Sequence, residues 1–150
     1  MAHSYVCSFF HCVWSTKQRR NVIAPQVRVR LWAYLGGIAR ENGMKALSVG
    51  GTDNHVHVLL SLPSTFPVSK AVQLVKGGSS KWMSETFRDQ CDFQWQEGYG
   101  AFSVGASRLR GISTYIENQL DHHRTQTFED EFVAFLDRHG ISYDAAHVFG

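Results

Sequence analysis

The run Thr52 to Leu62 (Thr-Asp-Asn-His-Val-His-Val-Leu-Leu-Ser-Leu) alternates as a strand does. Side chains two apart on a strand share a face, so Val56, Val58, Leu60 and Leu62 form one apolar row while His55 and His57 stand side by side on the other. Ser4 to Trp14 is rich in β-formers and apolar on both parities, which predicts a central strand covered on both sides. Pro25 suits the first turn of a helix in which Val27, Leu31, Leu35 and Ile38 recur at helical spacing, with Arg28, Arg30 and Arg40 off that face and Asn42-Gly43 at its end. Lys45 to Val49 alternates enough to be a second strand. Gly50 to Asn54 then joins it to the histidine strand as a hairpin.

Beyond Pro63 and Pro67 a second helical pattern runs through Val68, Ala71, Val72, Val75, Trp82, Met83 and Phe87, interrupted by Lys76-Gly77-Gly78-Ser79-Ser80-Lys81. Two adjacent glycines cost a helix interior roughly 1 kcal/mol each relative to alanine, so the insert asks for a reason. One is a kink or close helix packing. The other is close backbone approach to phosphate, with Lys76, Ser79, Ser80 and Lys81 as donors. Ala101 to Val104 reads as a fourth strand, and Gly105-Ala106-Ser107 as a small-residue joint in which Ser107 can cap a third helix. That helix carries Leu109, Ile112, Ile116 and Leu120 on its apolar stripe. Thr127 to His139 predicts a final helix with Phe128, Phe132, Phe135 and Leu136 on one side and Gly140 stopping it.

The order βαββαβ followed by helices is the split βαβ pattern of an α+β, ferredoxin-like (RRM-like) sandwich, with residues 1–150 forming one domain. Strands one and three then lie at the centre of an antiparallel sheet, which brings His11 beside His55 and His57 on a face that so apolar a strand leaves open. The composition, 43% hydrophobic and 19% charged, is that of a soluble globular protein. Cys7, Cys12 and Cys91 form no C-x-x-C pair, so neither a disulfide framework nor a cysteine zinc site is indicated, and a reducing cytoplasm fits. Tyr5 to Trp14 is too short to span a bilayer and is a poor signal peptide, so no membrane partner is expected. The net charge of +2 is only mildly basic. Nucleic-acid contact would therefore rest on local clusters such as Lys17-Gln18-Arg19-Arg20.

Two adjacent neutral imidazoles can hold a divalent metal, and a central strand would place them rigidly. On the third helix Tyr115 and Gln119 are four apart and share a face, with His122 one turn further along. A metal held by His55 and His57 could accept the Gln119 amide oxygen as a further ligand, which would put the Tyr115 hydroxyl beside that metal. Mixed nitrogen and oxygen ligands suit Mg²⁺ or Mn²⁺, and the ligand types also admit zinc.

His55-Val56-His57 with its apolar run, Lys76-Gly77-Gly78-Ser79-Ser80, Gln96-Glu97-Gly98-Tyr99-Gly100 and Tyr115-Ile116-Glu117-Asn118-Gln119 together resemble the single-tyrosine (Y1) transposases of the IS200/IS605 insertion sequences, of the His-hydrophobe-His (HUH) class. The resemblance covers nearly the whole chain in matching order. It implies a small prokaryotic enzyme, cytoplasmic, that acts on single-stranded DNA with hairpins near the element ends; mobile-element enzymes and host-retained relatives are both compatible. It implies Tyr115 as nucleophile, forming a 5′-phosphotyrosine and freeing a 3′-hydroxyl, with His55, His57 and Gln119 as metal ligands. It further implies a homodimer whose sites are composite, His55 and His57 of one subunit facing Tyr115 and Gln119 of the other, with the Gly105–Ser107 joint letting the helix leave its own sheet. DNA is expected at Lys17, Arg19 and Arg20, at Lys76, Ser79, Ser80 and Lys81, and at Arg108 and Arg110, with His11 and His122 as supporting groups. Two other readings stay open: a non-catalytic single-strand binding module, and a metal hydrolase built on His11, His55 and His57 with a water nucleophile.

Overall fold

The computed structural model describes residues 3–150. Four strands, β1 (Phe9–Ser15), β2 (Lys45–Gly51), β3 (His55–Ser61) and β4 (Gly100–Ser103), hydrogen-bond in the order β2-β3-β1-β4, each pair antiparallel. This is the sheet order of the split βαβ sandwich, with β1 and β3 central as the pattern predicts. Helices α1 (Pro25–Glu41) and α2 (Val68–Thr86) cover one face. There Cys12, Trp14, Val56, Val58 and Leu60 of the sheet meet Val27, Leu31 and Leu35 of α1 and Ala71, Val72, Val75 and Met83 of α2. The other face carries α3 (Leu109–Glu117), the single turn α4 (Gln119–His122) and α5 (Phe128–Arg138). Val13 and Phe102 pack there against Phe128, Phe132, Phe135 and Leu136 of α5.

Several elements differ from their sequence patterns for identifiable reasons. Strand β1 begins at Phe9, not Ser4, because Phe9 is paired with Ser61 at the end of β3. The residues before it run past the sheet, and Tyr5 is left 92% exposed. Helix α2 runs unbroken through the glycine pair. A Cβ on Gly78 would stand 2.9 Å from Ile38 Cδ1 of α1, so close helix packing explains that residue; Gly77 meets nothing, and the structure gives it no such role. Ser107 lies in a tight 3-10 turn (Ala106–Arg108) before α3, and no side-chain cap begins that helix. Asn118, at φ −100 and ψ 24, then breaks the third helix in two. The break rotates the residues beyond it: Leu120, expected on the apolar stripe, is 56% exposed, while Gln119 is buried. Helix α5 behaves as its sequence suggests, with the Thr127 side chain accepting a hydrogen bond from the Asp130 amide and Gly140 taking φ +66 beyond its end. Among the described residues, no helix is long and apolar enough to cross a membrane.

Candidate active site and metal centre

Strand β3 turns its apolar row into the α1–α2 core, which points His55 and His57 to the opposite face. Val13 pairs with His57 in the β1–β3 register, so the face of β1 that carries Val13 also carries His11. The His11 ring stacks on His57 at 5.0 Å, and its Nε2 lies 2.7 Å from His57 Nδ1. Helix α3 reaches this face because Gly50 in β2 has no side chain: a Cβ there would sit 2.2 Å from the Ile116 carbonyl oxygen. In this chain the joint at Gly105–Ser107 is followed by a tyrosine helix that packs on the chain's own sheet. Gly50→Ala should cost about 1–3 kcal/mol in urea denaturation through this forced shift. A fully native midpoint would show that α3 does not pack as described.

Tyr115, half-buried, donates its hydroxyl hydrogen bond to Glu131 Oε2 of α5, and its oxygen lies 3.2 Å from His122 Nε2. Since the single phenolic proton goes to the carboxylate, the His122 contact is favourable with Nε2–H donating. The other oxygen, Glu131 Oε1, stands 3.0 Å from His57 Nε2, 3.1 Å from His123 Nε2 and 3.5 Å from His55 Nε2. Gln119 Oε1 is 3.0 Å from both His55 Nε2 and His123 Nε2. The Gln119 amide nitrogen donates to the Tyr115 carbonyl at 3.3 Å, which fixes which end of the amide faces the histidines.

Burial, then the neighbouring His57, lowers the His55 pKa to about 3, so this ring is neutral at neutral pH. His11 is likewise held well below its ordinary value, by burial first and then by His57. Burial alone would raise the Glu131 carboxyl, but the His123 and His57 rings beside it outweigh burial and hold the group well below the usual carboxylate range. Tyr115 moves the other way: burial, then the hydrogen bond and charge of Glu131, raise its phenol well above the ordinary value. The resting tyrosine is a neutral phenol held by an anion.

The donor set fits a cation. A backbone carbonyl can only accept, so His123 Nδ1 donates to Gln126 O at 2.7 Å. With that proton on Nδ1, the Nε2 atom converges with Gln119 Oε1 and Glu131 Oε1 on one point. A buried carboxylate also calls for a compensating positive charge. The cluster accordingly suits a bound cation. His55, His57, His123 and Glu131 each offer a ligand atom, and these atoms lie within 4.8 Å of one another. Gln119 adds the amide oxygen expected from the sequence. The outer groups are in place as well: the side-chain oxygens of Thr52 and Asn54 hold His55 Nδ1 at 3.0 and 2.9 Å, and His11 holds His57.

His123 and Glu131 escape a reading of motifs, though each left a trace. His123 follows Gln119 by four residues, one helical turn. Glu131 sits three after Phe128 and four before Phe135, a carboxylate on the apolar face of its helix, which is costly unless it is paired.

The residues expected to meet DNA are scattered. Ser79 must be taken out of that set: it is fully buried, donates to Val75 O at 2.7 Å and accepts from Trp95 Nε1 at 2.9 Å. Lys76 is committed as well, its ammonium held by the carbonyls of Gln96, Glu97 and Gly98 at 2.5, 3.1 and 2.9 Å, and burial lowers its pKa to about 8. Ser80, half-buried, reaches Phe93 O at 3.4 Å. Arg19 pairs with Glu129 at 2.9 Å, and Arg20 donates to Gln18 Oε1 at 3.1 Å. Lys17, Lys81, Arg108 and Arg110 are exposed.

The sequence model of the family described as "Transposase IS200 like" matches residues 4–119. The ISDra2 transposase TnpA of Deinococcus radiodurans is 27% identical over 117 residues, 75% of this chain and 84% of that protein. The transposase for insertion sequence element IS200 of Salmonella typhimurium is 28% identical over 127 residues, 81% and 82% of the two chains. In structure, a crystallised protein of Deinococcus radiodurans described as a "putative transposase" superposes with TM-score 0.63 at 27% identity, covering 79% of this chain and 96% of that one. A REP-associated tyrosine transposase bound to a REP hairpin shares the fold, with TM-score 0.54 at 13% identity over 77% of this chain and 68% of the other. His123 and Glu131 lie beyond the stretch that the family model matches.

Proposed function

We propose that this chain, which belongs to the IS200-like transposase family, cleaves and rejoins single-stranded DNA with Tyr115 as its nucleophile. The observation that carries the proposal is that the Tyr115 hydroxyl rests on the same carboxylate that closes the buried donor cluster. Among ordinary phenols only on the order of 0.1% is ionised at neutral pH, and this one is held still more firmly in its neutral form. Its proton must leave as the oxygen bonds to phosphorus. Glu131 already accepts it, and His122, donating to the phenolic oxygen, steadies the charge that grows there. The new O–P bond forms as the bond from phosphorus to the 3′-oxygen breaks, leaving a 5′-phosphotyrosine and, after protonation by solvent, a 3′-hydroxyl. The phosphotyrosine keeps the energy of the broken bond, so a second 3′-hydroxyl can attack it and rejoin strands without ATP.

The residues that would hold a metal are His55, His57, Gln119, His123 and Glu131. A divalent ion bound there supplies Lewis-acid polarisation of the scissile phosphate. Three imidazoles favour Mn²⁺ over Mg²⁺, which prefers oxygen and water. We place the activity in the cytoplasm, where the free thiols of Cys7, Cys12 and Cys91 stay reduced. The substrate is single-stranded DNA with hairpins at the element ends, in keeping with the hairpin held by the structural relative. A binding module without chemistry leaves the Tyr115–Glu131 pair without a role, and a hydrolase using water would form no covalent adduct.

Phosphates should be met by Lys17, Arg19 and Arg20, by Lys81 with Ser80, and by Arg108 and Arg110. Neutralising these groups should reduce the salt dependence of single-strand binding by about 0.7 in log–log slope for every phosphate that loses its cation. An unchanged slope would mean that DNA runs elsewhere.

A homodimer with shared sites makes a separable prediction, tested by mixing Tyr115→Phe and His57→Ala proteins after subunit exchange. A composite site predicts adduct on the His57→Ala chain, which keeps its tyrosine, whereas a site completed within one chain predicts none. Adduct on the His57→Ala chain would show that Tyr115 serves a partner subunit.

A further inference from the structure

The layer of α1 and α2, on the face opposite the histidines, carries an aromatic and guanidinium cluster that the chemistry above does not use. The ring of Tyr34 in α1 stacks on Trp82 in α2, centroids 4.5 Å apart and planes 13° from parallel. Trp82 in turn meets Phe87 edge-on at 5.4 Å. The guanidinium carbon of Arg30 lies 5.6 Å over Trp82 and 5.0 Å over Phe87. Arg30, Tyr34, Gly37, Ile38, Glu41 and Trp82 line a concavity of about 440 Å³. Gly37 lines it without a side chain, and Arg40 Nη2 stands 3.8 Å from where a Cβ there would be. Arg30 lines the concavity with Glu41, and Arg40 adds a second guanidinium at its border. Tyr34 is 38% exposed, so the stack offers an aromatic surface to solvent where ordinary packing would hide it.

We propose that this concavity binds the unpaired bases of single-stranded DNA, which stack on the Tyr34–Trp82 ledge while Arg30 and Arg40 meet the flanking phosphates. The inference rests on the reading that the chain acts on single-stranded DNA. An aromatic ledge is useful only to bases whose faces are free, which a duplex hides, and it accepts any sequence because every base has such a face. Guanidinium groups beside the rings suit a polyanion and strengthen the stack through cation–π attraction. Because the sheet separates this ledge from Tyr115, the strand held here is a part of the DNA remote from the scissile phosphate. Its role is to anchor the substrate.

The test compares, in chelator so that nothing is cut, the binding of an oligothymidylate and of an abasic strand of equal length, which has the same phosphates but no faces to stack. The wild-type protein should prefer the thymidylate on the order of 10-fold or more, with quenching of Trp82 fluorescence. Tyr34→Ala should lose most of that preference, and Tyr34→Phe, which keeps the ring, should retain it. Trp82→Phe should remove the quenching and keep the preference. A Tyr34→Ala protein that keeps the full preference overturns the inference, as does one whose only change is the loss of concentration-dependent self-association, which would mark the ledge as a protein contact. Wild-type adduct formation with metal is scored separately. If adduct forms and Tyr34→Ala still prefers bases, this inference alone falls; if the wild-type protein neither binds single strands nor forms adduct, the reading beneath it falls as well.

Discussion

Alanine at His57 is expected to abolish divalent-metal binding and strand cleavage together. His57 sits between His11 and Glu131, with its Nε2 3.0 Å from the carboxylate oxygen that also faces His55 and His123. Removing it deletes one ligand and leaves Glu131 without the nearest of its imidazole neighbours. Outer partners of metal ligands typically cost 10–100-fold in affinity when replaced, so loss of a direct ligand should cost more than about 100-fold. His11→Ala, which removes only the group that orients His57, should fall within about that 10–100-fold range. Titration with Mn²⁺, followed by its paramagnetic signal, separates the two without reference to activity. Unchanged metal stoichiometry in a His55→Ala/His57→Ala protein would place the ion outside this cluster.

The histidine pair was legible because a period of two decides the side on which a strand side chain stands, and the apolar row at Val56, Val58, Leu60 and Leu62 left His55 and His57 only one face to occupy. The sheet order followed from the alternation of strands and helices for the same local reason. Gln119 and Tyr115 could be paired because they are one helical turn apart. Glu131 could not be placed in this way: its partners are decided by where α5 docks, and nothing local to α5 states that Phe128, Phe132 and Phe135 will lie on the histidine face. The break at Asn118 belongs to the same class, since it rotates Leu120 out and Gln119 in only once both helices are packed. Gly50 shows the limit most clearly. Its sequence context reads as a hairpin turn, while its lack of a side chain admits the Ile116 carbonyl of a helix far along the chain and so brings Tyr115 to its own sheet. The glycine pair in α2 was ambiguous between phosphate contact and packing; Gly78 against Ile38 together with the buried Ser79 supports packing at Gly78, while Gly77 has no packing role.

Tyr115→Phe is expected to lose covalent chemistry while keeping the fold. Phenylalanine keeps the ring, which packs edge-on against His57 and Phe135 at 5.9 Å each, and removes only the hydroxyl. Glu131 Oε2 loses its donor, for which about 1–3 kcal/mol of stability is the ordinary cost, so folding should be checked by denaturation in parallel. Binding of single-stranded DNA should be nearly intact. Covalent capture should fall by roughly 10⁴–10⁶-fold, the scale seen when a nucleophile is deleted from an otherwise assembled site.

Strand cleavage by Tyr115 is tested most directly by incubating the wild-type protein with end-labelled single-stranded DNA and Mn²⁺, denaturing the mixture, and mapping any labelled peptide. The expected product is a metal-dependent adduct that survives denaturation, carries its phosphate on Tyr115, and is absent from Tyr115→Phe. Cleavage without an adduct, or an adduct formed by Tyr115→Phe at the wild-type rate, would contradict the assignment.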